Sequence, residues 1–213
     1  MRFLLMHTAG AEGSVALASE AGVVASEILP GRSSSEHLVS AVRRLMEAAG
    51  WTLRDLTAVV AVHGPGSFTG VRVGLSAAKG LCEAGGVPLI VVSRLELLAA
   101  ETGYAALDAG RGEFYFGEYA DQRKACETLV SLDDLRAAVG SDEVTVCELK
   151  AAEALAGLRV RVIAEPLAEA TLPFALQRAR VGEFDDVAAT DANYLRRTDL
   201  EILAKAKMEG QTR

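Results

Sequence analysis

The stretch at residues 63–80, HGPGSFTGVRVGLSAAKG, limits what this chain can fold into more than any other. Five glycines (Gly64, Gly66, Gly70, Gly74 and Gly80) and the small residues Ser67, Ser76, Ala77 and Ala78 lie between an apolar run, TAVVAV at 57–62, and a helix-like segment. Glycine opens backbone angles closed to other residues and lets one main chain approach another closely, so the run reads as strand, tight loop, then buried helix. A Walker A loop requires Gly-Lys-Ser/Thr after its spacer, but Gly70 is followed by Val71 and Arg72, and Lys79 lies deep in the helix. A dinucleotide fingerprint fails too, because Gly64, Gly66 and Gly70 overshoot G-x-G-x-x-G by one residue. The composition favours a structural turn feeding a tightly packed helix over a ligand loop.

Upstream, residues 3–6, 14–18 and 23–29 are short apolar or alternating segments separated by glycine-bearing turns, the pattern of a three-stranded antiparallel meander. Residues 33–35, all serine, can cap a helix running to Ala49, with Leu38, Ala41, Val42, Leu45 and Ala49 on one face. Thr52 and Asp55 have capping-box spacing, and 57–62 is apolar enough for a central strand. Past the glycine run, 88–92 reads as a second buried strand and 94–101 as a helix. Three antiparallel strands followed by helical crossovers imply an RNase H-like mixed sheet flanked by helices. The pattern then partly restarts: strand at 104–107, a D-x-G-x-G turn at 108–112, strand at 113–119, hinting at an internal duplication. Between 121 and 165 only a short helix near 132–139 and apolar fragments at 144–147 and 160–163 are legible. Residues 173–181 look helical with Pro173 in the first turn, and the lysine-rich tail from Leu200 is expected to fray. The division expected is 1–102 and 103–213.

With 213 residues, 50% of them apolar, the chain can bury a core. A net charge of −7 argues against broad attraction to nucleic-acid phosphates. Cys82, Cys126 and Cys147 are odd in number and widely spaced, which argues against a disulfide framework or zinc site and for a reduced, cytoplasmic setting. The apolar run in MRFLLMHTAG is too short for a signal peptide or a membrane span.

No pair among His7, His37 and His63 has metal-ligand spacing, so each is read as structural and no metal is expected. Ser67 in GPGSFTG lacks the G-x-S-x-G elbow, so a hydrogen-bonding turn residue is the better reading than a nucleophile. Arg72 either binds an anion or solvates the rim, the second being the default. Leu75, Ala78, Leu81 and Cys82 form a stripe poor in bulk, and Leu38, Val42 and Leu45 form a conventional one. Periodicity alone does not separate a face on the sheet from a face on another protein.

The words GPGSFTGVRVGLSAAKGL (64–81), PLIVVSRLELLA (88–99), ALDAGRGEFYFGEY (106–119) and, more weakly, NYLR (193–196) resemble the signature of the bacterial TsaB (YeaZ) family. That resemblance implies an actin/Hsp70-like (ASKHA) α/β fold of two RNase H-like halves, mixed sheets flanked by helices, the second half reduced. In such folds aspartates at two strand-turn-strand corners position a metal-bound nucleotide. Asp108 stands at the second corner, but His7 stands at the first, where the family carries Asp, and imidazole is a poor ligand for magnesium. Glu36-His37 is at best a remnant of the paired-histidine motif with which the related TsaD proteins bind metal.

The resemblance further implies a non-catalytic scaffold or dimerisation subunit of the tRNA threonylcarbamoyladenosine complex. It would pair with a TsaD-like subunit and a TsaE-like ATPase, form a homodimer when alone, and meet tRNA only through the complex. Leu38, Ala41, Val42, Leu45, Leu75, Ala78, Lys79 and Cys82 are the expected partner contacts. Gly64, Gly66, Ser67, Thr69, Gly70, Arg72 and Asp108 are candidate nucleotide or loop contacts. No cofactor of its own and no membrane contact are expected; ATP or ADP would sit at the complex interface. The alternative is a nucleotide-dependent small-molecule phosphotransferase of the actin and sugar-kinase fold, carried by Asp108, Gly110, Gly112 and the glycine loop.

Overall fold

The computed structural model describes residues 1–30, 34–99, 103–120 and 123–195. Strands β1 (Arg2–His7), β2 (Gly13–Ser19) and β3 (Gly22–Leu29) form the antiparallel meander, and β4 (Ala58–Val62) and β5 (Leu89–Val92) add in parallel beside β1. The resulting order is β3-β2-β1-β4-β5. Every residue of β4, AVVAV, is buried, as a central parallel strand covered on both faces requires.

The second sheet repeats the first. Strands β6 (Tyr104–Gly110), β7 (Glu113–Ala120) and β8 (Arg123–Ser131) are antiparallel, while β9 (Glu143–Val146) and β10 (Arg159–Val162) run parallel to β6, giving β10-β9-β6-β7-β8. The strand-turn-strand echo in the sequence is therefore the visible part of a complete five-stranded duplication. The reduction falls on the helices: α1 (Ser34–Ala49) and α2 (Phe68–Gly85) have 16 and 18 residues, their counterparts α4 (Leu132–Val139) and α5 (Leu149–Ala154) only 8 and 6.

Helices α1 and α2 cover one face of the first sheet, with Leu38, Val42, Ala78 and Cys82 packed on Leu4, Met6, Leu17, Val59 and Leu89. The other two helices change sides. Helix α3 (Arg94–Ala99) leaves β5, yet Leu95, Leu98 and Ala99 pack on Ala105, Leu107 and Tyr119 of the second sheet. Helix α6 (Leu172–Arg180) follows β10, yet Ala175, with Ala168 just before it, packs on Phe3, Leu5, Val60 and Ile90 of the first. The two halves are thereby interlocked, each capped by a helix that continues the other's last strand.

The arm after α6 stays with the first sheet. Asp185 N–H donates to the Leu89 carbonyl (2.8 Å) and its carboxylate accepts from Val91 N–H (2.7 Å), closing the exposed edge of β5. Lys79 Nζ donates to the carbonyls of Ala188 (3.3 Å) and Thr190 (2.9 Å), and Asn193 N–H donates to the His63 carbonyl (2.8 Å). The tail expected to fray from Leu200, and residues 100–102 at the expected end of α3, lie outside the described residues. No helix among the described residues is long and apolar enough to cross a membrane.

Candidate functional site

The glycines of the 63–80 run are a packing device. A Cβ on Gly66 would stand 2.2 Å from the Ala9 carbonyl oxygen, one on Gly70 2.0 Å from that of Thr8, and one on Gly74 2.1 Å from Thr8 Oγ1. Only glycine lets the start of α2 press onto the β1–β2 turn this closely. Ser67 N–H donates to the Ala9 carbonyl (2.8 Å) and Thr8 Oγ1 to the Gly70 carbonyl (2.7 Å), while Ser67 Oγ caps α2 by accepting from Gly70 N–H (3.2 Å). Ser67 is thus the N-cap of α2. Gly64, at φ +110°, lies against Val71 and the Asn193 carbonyl.

Between the β1–β2 and β6–β7 turns lies a cleft of about 370 Å³ lined by Ala9, Gly10, Gly66, Ser67, Arg94, Asp108, Tyr115 and Glu148. Gly66, Ser67 and Asp108 therefore converge; Thr69 and Arg72 are not among its lining residues. Arg72 stacks its guanidinium 3.7 Å over the Phe68 ring and donates through Nε to Tyr194 Oη (2.5 Å). Thr69 is exposed. Asp108 Oδ1 accepts from Gly110 N–H (2.7 Å), so its carboxylate is spent in part on shaping its own turn.

The centre of the cleft belongs to residues the motifs did not single out. Arg94, its side chain 4% exposed, makes a forked contact with Glu165, Nε to Oε1 at 2.8 Å and Nη2 to Oε2 at 2.5 Å. Nη2 also reaches Glu148 Oε1 at 3.1 Å, and Glu148 Oε2 accepts from Asp108 N–H at 2.9 Å. Cys147 Sγ donates to Glu165 Oε2 at 3.3 Å. Burial pushes the Glu165 carboxyl up, but its hydrogen bonds and charge contact with Arg94 outweigh this and hold it below the ordinary value. Burial pushes the Cys147 thiol up to about 12, with Arg94 opposing, so it is an inert thiol. Among the described residues that line the cleft, Arg94 stands against Asp108 and Glu148, and its guanidinium is already engaged by the Glu148 and Glu165 carboxylates.

His7 ends β1 at the first corner, 1% exposed, with Nε2 3.8 Å from Glu165 Oε1 and neither ring nitrogen hydrogen-bonded among the described residues. Burial, then the nearby Arg94 charge, lowers its pKa to about 4 against the pull of Glu165, so His7 is neutral at pH 7. Among the described residues no group of three or more His, Cys, Asp and Glu side chains is placed to hold a metal ion.

Of the residues expected to touch a partner, all but Lys79 are buried against the sheet of this chain. Leu38, Ala41, Val42, Leu45, Leu75, Ala78 and Cys82 are at most 9% exposed, and Lys79 is tethered to the C-terminal arm. The apolar stripe that periodicity detects is the one facing the sheet, because the sheet is the larger apolar surface to cover. The faces of these helices that reach solvent carry Val39, 60% exposed, on α1 and Thr69, Ser76, Gly80 and Ala84 on α2.

Arg94, Glu148 and Glu165 had one sequence signal. Each is a charged residue two or three positions after a parallel strand, at the strand ends where open α/β sheets gather ligands and polar contacts.

Comparison with known proteins places this geometry. The family model described as TsaD: tRNA N6-adenosine threonylcarbamoyltransferase matches residues 16–202. The tRNA threonylcarbamoyladenosine biosynthesis protein TsaB of Escherichia coli (strain K12) is 37% identical over 127 residues, 56% of this chain and 55% of that protein. Its namesake in Bacillus subtilis (strain 168) is 33% identical over 137 residues, covering 61% and 60%. The matched segment thus spans little more than half the length of these curated relatives. The solved structure of YeaZ from Pseudomonas aeruginosa superimposes with a TM-score of 0.76 at 26% identity, covering 91% of this chain and 99% of that one. Ethanolamine utilization protein EutJ from Carboxydothermus hydrogenoformans, at 13% identity and a TM-score of 0.52, shares the fold alone, that of the actin and Hsp70 group. The quoted glycine words, the duplicated sheets and these matches agree: the chain belongs to the TsaB (YeaZ) family, within the broader set that the threonylcarbamoyltransferase model describes.

Proposed function

We propose that this chain is a non-catalytic scaffold in tRNA threonylcarbamoyladenosine biosynthesis, docking on and shaping a TsaD-like subunit that works with a TsaE-like ATPase. The observation that carries the reading is the state of the cleft. Where relatives by fold hold a metal-bound nucleotide, this chain has a buried neutral His7 at one corner and an Arg94–Glu165–Glu148 cluster across the middle. Phosphates approaching would meet the Asp108 and Glu148 carboxylates beside an Arg94 already bound to Glu148 and Glu165. Nucleotide, where the assembly uses it, would bind at the interface between subunits, and tRNA would be met through the complex.

The outer faces of α1 and α2 are the docking surface in this reading. Ser76, Gly80 and Ala84 present little bulk, and a Cβ on Gly80 would meet nothing within 4 Å, so a partner helix can come close. Size-exclusion chromatography with light scattering of this chain mixed with a TsaD-like protein from the same source tests it. Ser76→Arg should abolish the complex without lowering the thermal melt, and Gly80→Arg should abolish it while raising the melt through helix propensity, whereas Ala78→Asp should unfold the chain. A folded Ser76→Arg protein that still binds would move the interface elsewhere.

The phosphotransferase reading draws support from one feature, the Asp108–Gly110 turn at the second corner. Calorimetry of the isolated chain with ATP and magnesium separates the two, since tight binding favours phosphoryl transfer and the scaffold reading predicts none.

A further inference from the structure

Arg72 stands in the glycine run but outside the cleft. Thr69, Arg72, Ser76, Gly80 and Glu83 are exposed positions of α2 spaced by three or four residues, so they form one stripe along the helix. The Arg72 guanidinium is held in place within that stripe, where a surface arginine is ordinarily free to move. Its Cζ lies 3.7 Å from the centre of the Phe68 ring and 5.5 Å from that of Tyr194, and Nε donates to Tyr194 Oη (2.5 Å). Tyr194 belongs to the C-terminal arm, which Lys79, about two turns further along α2, also grips through the Ala188 and Thr190 carbonyls. The arm therefore runs back along the helix beside the stripe and delivers Tyr194 to Arg72.

Both rings stay open to solvent, Phe68 at 54% and Tyr194 at 44%, and among the described residues neither terminal nitrogen of Arg72 has a partner. A clamped arginine with both Nη groups free is a planar fork set for two parallel hydrogen bonds to an oxyanion, and the entropy of fixing it is lost before binding. Arginine beside aromatic rings is also the usual make-up of an interface hot spot. Carboxylate and phosphate both fit the fork. The net charge of −7 opposes a nucleic-acid strand, and the small residues Ser76 and Gly80 that continue the stripe suit the close approach of a helix, which together select a carboxylate on a protein.

We propose that Arg72, clamped by Phe68 and Tyr194, is the anchor of the α2 docking face and takes an Asp or Glu carboxylate of the docked protein in a two-pronged salt bridge. The assignment rests on the reading of the outer faces of α1 and α2 as that docking surface, and it gives the C-terminal arm a part in recognition.

Isothermal titration calorimetry of the full chain with the TsaD-like protein from the same source tests it. Arg72→Met should weaken binding about 30-fold or more, as loss of a hot spot does, with the thermal melt unchanged because Arg72 is exposed. Arg72→Lys keeps the charge without the fork and should stay about tenfold or more weaker than wild type. Tyr194→Phe removes only the hydroxyl that holds Nε and should cost about threefold to tenfold, the worth of one hydrogen bond. Arg72→Glu should abolish binding, and changing the exposed Asp and Glu residues of the TsaD-like protein to Lys one at a time should find one that restores it. Wild-type affinity in any of the first three variants, beside a Ser76→Arg chain that no longer binds, would overturn the anchor and leave the docking face standing. A Ser76→Arg chain that binds as wild type would remove the face and the anchor with it. Failure of every Lys substitution to restore binding, or an Arg72→Met chain that loses tRNA in a filter-binding assay and keeps its protein partner, would also overturn the proposal.

Discussion

Replacing Arg94 by Met isolates the cluster at the centre of the cleft. Methionine keeps the length and apolar stem of the side chain, so the loss falls on the guanidinium contacts with Glu165 and Glu148. Removing one member of a buried ion pair typically costs about 3–5 kcal/mol, because the remaining charge is stranded. Glu165 and Glu148 are not sealed off, their side chains being 21% and 30% exposed, which places the expected loss near the lower end, about 3 kcal/mol. That is a large fraction of the ~5–15 kcal/mol by which domains of this kind are stable. Urea unfolding followed by circular dichroism measures it as a lower midpoint at unchanged m-value. Adding Glu165→Gln and Glu148→Gln to Arg94→Met removes the stranded charges and should recover most of the loss, to within about 1 kcal/mol of wild type. A second readout is independent of stability: without the Arg94 charge the His7 pKa should rise, visible in the histidine proton resonances. An Arg94→Met chain within about 0.5 kcal/mol of wild type, with His7 unmoved, would refute the reasoning.

Two further outcomes follow from the same structure. The folded chain refuses a proton at His7 until about pH 4, while the unfolded chain takes it up near 6.5, so stability should fall as pH drops through that window, by about 3 kcal/mol in all. Glu165, its carboxyl held low, loses its contribution in the same direction at acid pH, so the His7 share is the difference in slope between wild type and His7→Gln; identical slopes would contradict it. The glycines of α2 should respond with opposite signs: Gly70→Ala should destabilise by about 1–3 kcal/mol, since its Cβ meets the Thr8 carbonyl, while Gly80→Ala should stabilise by about 1 kcal/mol through helix propensity. Thermal melts of the two variants check this, and a common sign would show that the close approach to the β1–β2 turn is not what selects glycine.

Much of the fold is legible in the sequence because its first half obeys local rules. The β-branched run at β4, the period of α1 and the Ser67 cap of α2 each appear within a dozen residues. The second sheet is harder to read for physical reasons. β9 and β10 have four residues each, too short to show a period, and β8 (RKACETLVS) mixes polar and apolar residues along its length. No local signal shows that α3 and α6 exchange halves, since that is settled by which apolar surface each helix finds after the chain has turned. The glycine words contain Gly66, Ser67 and Asp108, which line the cleft, but say nothing of Arg94 and Glu165, 71 residues apart and joined only by folding. Periodicity on α1 and α2 locates a buried face and takes no account of the opposite one, which is why Ala41 and Ala78 stand in the core and Ser76 and Gly80 on the surface.

The central claim is that the chain contributes shape to a reaction whose chemistry resides in another subunit. Reconstitution measures this directly: threonylcarbamoyl transfer to tRNA from threonylcarbamoyl adenylate, assayed with a TsaD-like protein and a TsaE-like ATPase from the same source, with and without this chain, and with this chain alone. The account predicts no turnover by the chain alone and a rise when it joins the other two, lost in the Ser76→Arg variant. Turnover by the isolated chain, or a reaction indifferent to its presence, would contradict it.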